Sequence, residues 1–330
     1  MTNLQIDLPT NLRIVSLIPS ATEIVAELGY GQYLVGRSHE CDYPLAVKSL
    51  PVCTEPKFNP VGSSLQIHQR VSELLASALS VYRVKTEVLA ALKPTHIITQ
   101  AQCEVCAVSL SDVEQAVASL VAPADIVAVT SADTTAIQVV SLQPDRLADM
   151  WADMGRVAAA LASSSEPVTE LGDRTAAVIE QLKARIQPIK TAQRLKIACI
   201  EWTEPLMSAG NWVPELVELA GGIACVGTAG AHSDWMNWKD LAAADPDIIV
   251  VMPCGYDLAQ TRQATQELAA TQPGWAQLSA VQNAQVYLAD GNQYFNRPGP
   301  RLVESWEILV EIIQQQAINQ ARKPIGWERF

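Results

Sequence analysis

Strands and helices alternate in this chain from residue 13 to about residue 130. They give way to one helical stretch over 142–164, and the alternation then restarts near residue 195. That interruption restricts the available folds more than any single motif does. RIVSLI at 13–18 reads as a buried strand broken by Pro19-Ser20, and the helix that follows, over 21–28, ends at Gly29. Ser20 and Glu23 have capping-box spacing, which puts the strand-to-helix turn there. YLVGR at 33–37 is a second strand, followed by the polar run SHECD. Helices over 65–78 and 84–92, the strand HIITQ at 96–100, a helix in DVEQAVASL and the strand DIVAVT at 125–130 continue the pattern. Such spacing predicts a mainly parallel sheet covered on both faces.

In 142–164, Leu147, Met150 or Trp151, Met154, Val157 or Ala158, and Leu161 recur every three or four residues. They mark one apolar helical stripe. We read this stretch as a helix joining two α/β lobes, the alternative being the last helix of the first lobe. The second series follows: a helix at 170–187, strand 195–200, helices 212–220 and 238–244, strand 247–252, helix 259–269, strand 284–288 and a terminal helix over about 300–319. The expected division is an N-terminal lobe at 12–141, a connecting helix at 142–165 and a C-terminal lobe at 166–322. A length of 330 residues suits two domains, and a 49% apolar content with mean hydropathy +0.11 suits folded cores.

A net charge of −12 argues against a nucleic-acid partner, whose phosphates need clustered Lys and Arg. The opening residues show no basic segment followed by an apolar one, and the seven cysteines are an odd number for a fully paired disulfide framework and are spread through a large chain. A reducing, cytoplasmic setting is the expectation, or a periplasmic or cell-surface one if an export signal had been removed. A monomer is expected.

Ligands of open α/β sheets sit beyond the carboxyl ends of the strands. In the first lobe those ends carry Ser20 and Thr22, then His39, Glu40, Cys41 and Asp42, then Gln102, Cys103 and Cys106. In the second they carry Glu201, Trp202 and Glu204, then His232 and Trp235, then Cys254 and Tyr256, then Asn292, Tyr294, Phe295 and Arg297. Aromatic walls with a few polar anchors suit a large, flat, partly apolar ligand, though indoles near loop bases also fill core gaps.

Cys103-x-x-Cys106 is compatible with a redox pair or half of a metal site, and also with plain loop structure. With no second such pair, a metal ion would need a composite site with His39 and Cys41. That gives a second hypothesis, a metal- or thiol-dependent enzyme. No GxGxxG, P-loop, GxSxG or HExxH pattern is present, which argues against nucleotide enzymes and the common hydrolases. An acid–base pair of Glu201 and Glu204 is a minor alternative.

SLIPSATEIVAELG (16–29), DYP (42–44), LKPTHIIT (92–99), EPLMSAGNWVPELVELAGG (204–222), LAAADPDIIVV (241–251) and NRPGPRLVESWEIL (296–309) resemble the periplasmic-binding-protein family of iron-siderophore, haem and vitamin B12 importers, most closely the cobalamin-binding branch. The resemblance implies two Rossmann-like lobes of the class III arrangement, a corrinoid held between them, no required cofactor and no catalysis. It also implies an ABC permease as partner, docked by one surface glutamate per lobe, with Glu73 and Glu218 the nearest matches. The ligand-facing aromatics map near Trp235 and near Tyr294 or Phe295, with Phe58 a weak match in the first lobe. Haem or a siderophore is the alternative cargo. A siderophore would want inward arginines, and the strand ends supply chiefly Arg37 and Arg297.

Overall fold

The computed structural model describes residues 12–77, 80–101, 108–120, 137–162, 168–314 and 326–330. The chain divides into two compact units. One takes the chain up to Pro60, Val71–Gln143 and Trp151–Glu180. The other takes Val61–Arg70, Pro144–Met150 and Gln181–Phe330.

Along the chain, the first unit contributes β1 (Ile14–Ser16), α1 (Pro19–Glu27), β2 (Leu34–Arg37), β3 (Thr54–Pro56), the end of α2 (Ser64–Ala76), β4 (Tyr82–Val84), α3 (Thr86–Leu92), β5 (His96–Gln100), α4 (Leu110–Leu120) and β6 (Gln138–Leu142). It also holds most of α5 (Leu147–Leu161) and α6 (Val168–Arg185). Its four-stranded sheet has the order β2-β1-β5-β6 with every neighbour parallel, as the alternation predicts. β-Branched residues supply the buried faces: Val15, Ile97 and Ile98 are fully covered. Gly36 is needed in β2, because a Cβ there would meet Leu92 Cδ1 at 2.6 Å and Cys53 Sγ at 2.7 Å.

Three sequence expectations change here. α1 begins at Pro19 with Ile18 as its cap and no side-chain cap bond, so Ser20 and Glu23 form no capping box. Proline at the first helical position loses no helical hydrogen bond, and its fixed φ starts the helix without help from a serine. The strand beside β5 is β6, at 138–142, whereas the one expected at 125–130 lies outside the described residues. β3 and β4 form an antiparallel pair of three residues each, too short to leave a periodic signal. The apolar stripe of α5 is as expected: Met150, Met154, Val157, Ala158 and Leu161 are all buried.

The second unit contains β7 (Lys196–Thr203), β8 (Leu206–Ser208), α7 (Val213–Leu219), β9 (Ile223–Ala224), α8 (Trp238–Ala244), β10 (Ile248–Val251), α9 (Leu258–Thr271), α10 (Ser279–Gln282), β11 (Val286–Ala289), α11 (Leu302–Gln314) and β12 (Trp327–Arg329). Its sheet has the order β12-β11-β10-β7-β8, with β9 also on β7. β9, β7, β10 and β11 are parallel, while β8 and β12 run antiparallel at the two edges. The core beneath it gathers Ala198, Ile200, Ile249, Val251, Leu268, Trp275 and Leu288. Reciprocal capping boxes start two helices, Asn237 with Asp240 at α8 and Asp257 with Gln260 at α9. Asp257 is thereby used as a cap. The opening of α2, Val61–Arg70, belongs to this unit and brings Ser64, Ile67 and His68 to it.

Candidate functional site

The strand ends of the first unit form a hydrogen-bonded web. The Thr22 hydroxyl lies 2.8 Å from Ser16 Oγ and 3.0 Å from Cys41 Sγ. Thr22 and Cys41 are both buried, so they fix the loop after β2 from beneath. Ser20 is buried too, and its hydroxyl has no hydrogen-bond partner among the described residues. Arg37 spreads its guanidinium over backbone carbonyls of the loop, donating to Ser38 O at 2.9 Å and Cys41 O at 3.1 Å. Asp42 is half-buried on the same loop.

His39 packs its ring 5.3 Å from that of Tyr82 and shares a 2.8 Å hydrogen bond between Nδ1 and Thr54 Oγ1. Burial lowers its pKa from 6.5 to about 4, helped by the charges of Lys85 and Arg37. A histidine whose folded value is depressed stabilises the fold fully above its unfolded value and loses that contribution as the pH falls. The window here is pH 6.5 down to about 4, and the contribution at stake is roughly 2 kcal/mol. Urea unfolding across that window should show His39→Gln losing less stability than the parent. Equal losses would mean that His39 does not resist protonation. His96, also lowered chiefly by burial, remains in both proteins.

Gln102, Cys103 and Cys106 lie outside the described residues. Of the proposed metal ligands, Cys41 is buried against Thr22 and His39 is bound to Thr54. Among the described residues no group of three or more His, Cys, Asp or Glu is placed to hold a metal ion.

The second unit gathers more chemistry. At the end of β7 the rings of Trp202 and Tyr256 lie 5.2 Å apart, both buried, with Ile67, Met207 and Cys254 packed against them. Trp202 Nε1 donates to Glu204 O at 3.1 Å, and Thr203 Oγ1 donates to Ser64 Oγ at 2.8 Å. Trp235 is paired by a β-bridge to Met207 of this cluster and is 57% exposed, with His68 edge-on to its indole at 5.1 Å. Leu65, one turn from His68 on α2, and Val61 are also exposed. An exposed indole with an imidazole edge-on to it is the feature of this unit most suited to a flat ligand.

Beside the Trp202–Tyr256 cluster, Glu201 accepts from Ser233 Oγ at 2.7 Å and from Cys254 Sγ at 3.2 Å. Burial pushes its pKa above the usual 4.5, and these two hydrogen bonds only partly offset it. A raised carboxylate costs the fold stability as the pH rises past its unfolded value. Glu201→Gln should therefore be more stable than the parent at neutral pH, and the gain should shrink toward pH 4.5. A variant less stable at every pH would show that the charge is needed.

The last strand end departs from the sequence expectation. Tyr294 and Arg297 are buried, with Arg297 donating to Asn292 Oδ1 at 3.0 Å. Phe295 is fully buried and belongs to the core rather than to an aromatic rim. Its position in the Gly291–Phe295 turn turns the ring inward, which a strand-end argument does not resolve. Sequence patterning singles out neither His68 nor Ser64 as a site residue. Only a tertiary contact brings the start of α2 to this unit. Phe58 packs in the first unit's core, beside Tyr82. Glu218 is ion-paired with Arg194 and lines a depression of about 610 Å³ with Leu147, Pro214, Glu215 and Thr228. That depression holds none of the aromatic residues of the β7 end, and we place the candidate site at the latter because aromatic groups and polar anchors converge there. Glu73 is exposed.

A family model described as periplasmic binding protein matches residues 14–292. Three solved structures illustrate the likeness of fold. A possible iron-binding (periplasmic solute-binding) protein of Staphylococcus epidermidis ATCC 12228 shares 18% identity at a TM-score of 0.63, covering 91% of this chain and 98% of its own. The periplasmic vitamin B12 binding protein BtuF of Vibrio cholerae shares 20% at 0.59, covering 92% and 96%. The periplasmic heme-binding protein RhuT from Roseiflexus sp. RS-1 shares 20% at 0.63, covering 92% and 98%. No curated protein matches the chain.

The family match overturns the expectation of a cytoplasmic setting, because the family and these three relatives are periplasmic by description. The cysteine argument failed for a physical reason. Cys41, Cys53 and Cys199 are buried single thiols, and burial raises Cys53 to about 11 and Cys199 further. Thiols held protonated and covered resist oxidation without a reducing compartment. With the resemblance read from its motifs now matched over most of its length, the chain belongs to the periplasmic binding protein family.

Proposed function

We propose that the protein binds a tetrapyrrole-type metal chelate, without transforming it, as the solute-binding component of an ABC importer. Within that class a cobalamin-like corrinoid is the preferred ligand. The observation that supports the reading is the 57% exposed Trp235 indole, bridged through Met207 to the buried Trp202–Tyr256 cluster. Large aromatic faces left open to solvent contribute most when a flat, partly apolar ligand covers them. Trp235, Trp202, Tyr256 and Ser64 are the proposed site in the second unit. His39, Asp42, Ser20 and Thr22 shape the proposed face of the first, and Tyr294 and Arg297 support the last loop. Gln102 stays a proposed contact on the sequence reading alone.

Haem is a second reading, favoured by His68, whose imidazole nitrogens are metal-ligand types placed beside the same indole. An anionic siderophore is disfavoured because both candidate arginines are engaged internally, Arg37 on loop carbonyls and Arg297 on Asn292. For the importer partner, Glu73 and Glu218, both exposed, are the proposed docking groups.

Parallel calorimetric titrations with cyanocobalamin, haemin and a ferric trihydroxamate test the reading. Saturable one-to-one binding of the corrinoid supports it. Binding of haemin alone moves the assignment to the second reading, and binding of the hydroxamate alone overturns both.

A further inference from the structure

The last five residues, Gly326–Phe330, are tied to the second unit by more bonds than a chain end needs for mere order. β12 pairs antiparallel with β11, matching Tyr287 with Arg329 and Ala289 with Trp327. Trp327 Nε1 donates to Glu311 Oε2 at 2.7 Å, Arg262 Nε donates to Glu328 Oε1 at 2.9 Å, and Arg329 Nη2 donates to Tyr287 OH at 3.0 Å.

The upper end of the strand reaches the turn that follows β11. Asp290 N donates to Gly326 O at 2.8 Å. Gly326 has φ +81°, and a Cβ on it would overlap the Tyr294 ring. Inside the turn, Asn292 N donates to Tyr256 O at 3.1 Å. Tyr256 in turn packs its ring, tilted by 54°, 5.2 Å from that of Trp202, and Met207 of the same cluster bridges to Trp235. A continuous set of contacts therefore runs from Gly326 through Tyr294 and Asn292 to Tyr256 and the aromatic cluster.

We propose that the C-terminal strand is a positioning strap: by fixing the Gly291–Phe295 turn it sets the Tyr256 loop and hence the Trp202–Tyr256 cluster to which Met207 bridges Trp235. Its effect on affinity rests on the tetrapyrrole-binding reading above, whereas its effect on the turn does not. β12 touches no ligand in this scheme, so it acts only through Tyr294, Asn292 and Tyr256.

The test compares the full chain, a chain ending at residue 325, and Gly326→Ala. It reads amide hydrogen exchange at Asp290 and Asn292, together with affinity for cyanocobalamin and haemin. The strap predicts faster exchange at both amides in the truncated chain. It also predicts about tenfold weaker binding of whichever ligand the full chain takes, the upper range for a residue that acts without touching ligand. Adding the free pentapeptide Gly326–Phe330 should restore both readouts. Should the truncated chain fail to fold, Gly326→Ala carries the test, because it displaces Tyr294 while leaving the β12 pairing in place. Faster exchange at Asp290 with Asn292 and the affinity unchanged would overturn the proposal, leaving β12 as an edge cover only. A full chain that binds neither ligand would refute the functional reading, and exchange at Asn292 would still decide the strap.

Discussion

Trp235→Ala should weaken binding of the tetrapyrrole by about 2 kcal/mol, roughly thirtyfold, the loss typical of a central aromatic contact. The folded protein itself should change little. Trp235 is 57% exposed, so its truncation leaves no buried void, and surface changes of this kind move stability by about 0.5 kcal/mol or less. The measurement is a tryptophan-quenching titration paired with a urea midpoint. Full affinity in the variant would remove the indole from the site. A large fall in the midpoint would mean that Trp235 is structural despite its exposure.

Phe295→Ala should behave in the opposite way. Phe295 is fully covered, its carbonyl accepts from Trp212 Nε1 at 3.0 Å, and it ends the turn that joins β11 to the Arg297 segment. Deleting a ring of that size from a packed interior costs about 3–5 kcal/mol, the lost transfer energy plus that of the cavity left behind. The expected result is a sharply lower urea midpoint, with affinity per folded molecule close to that of the parent. Normal stability with lost binding would instead make Phe295 the ligand-facing aromatic that the resemblance implied. The pair of variants thus separates the two aromatics on which the sequence reading placed equal weight.

The sheet was legible wherever a strand was long enough to be buried on both faces. IIVV at 248–251 and the apolar run ahead of Glu201 needed no tertiary information, although β7 continues through Glu201 and Trp202 to Thr203. The edge strands β8 and β12 were not legible. Three residues beside a proline or near a chain end give no period, and only pairing with β7 or β11 makes them strands. The Ser20–Glu23 spacing misled because it fits a capping box, while the neighbouring Pro19 begins the helix one residue earlier.

Within the site the limit was direction rather than place. Sequence positions Phe295 and Trp235 both near strand ends, but whether a ring turns inward is set by the turn around it. His68 lay on a helix that reads as part of the first series, and nothing local shows that the start of α2 packs with the second unit. The compartment was misjudged because cysteine counts report oxidation only when thiols are accessible, and Cys41, Cys53 and Cys199 are not.

The central claim, that the protein carries a tetrapyrrole-type chelate without altering it, is tested most directly by native mass spectrometry. The protein would be mixed with equimolar cyanocobalamin, and in parallel with haemin, and the ligand's mass recorded again after release by denaturation. The account predicts a complex of one protein with one ligand, and a released ligand of unchanged mass. Bare protein with both ligands, or a ligand released at a different mass, would contradict it.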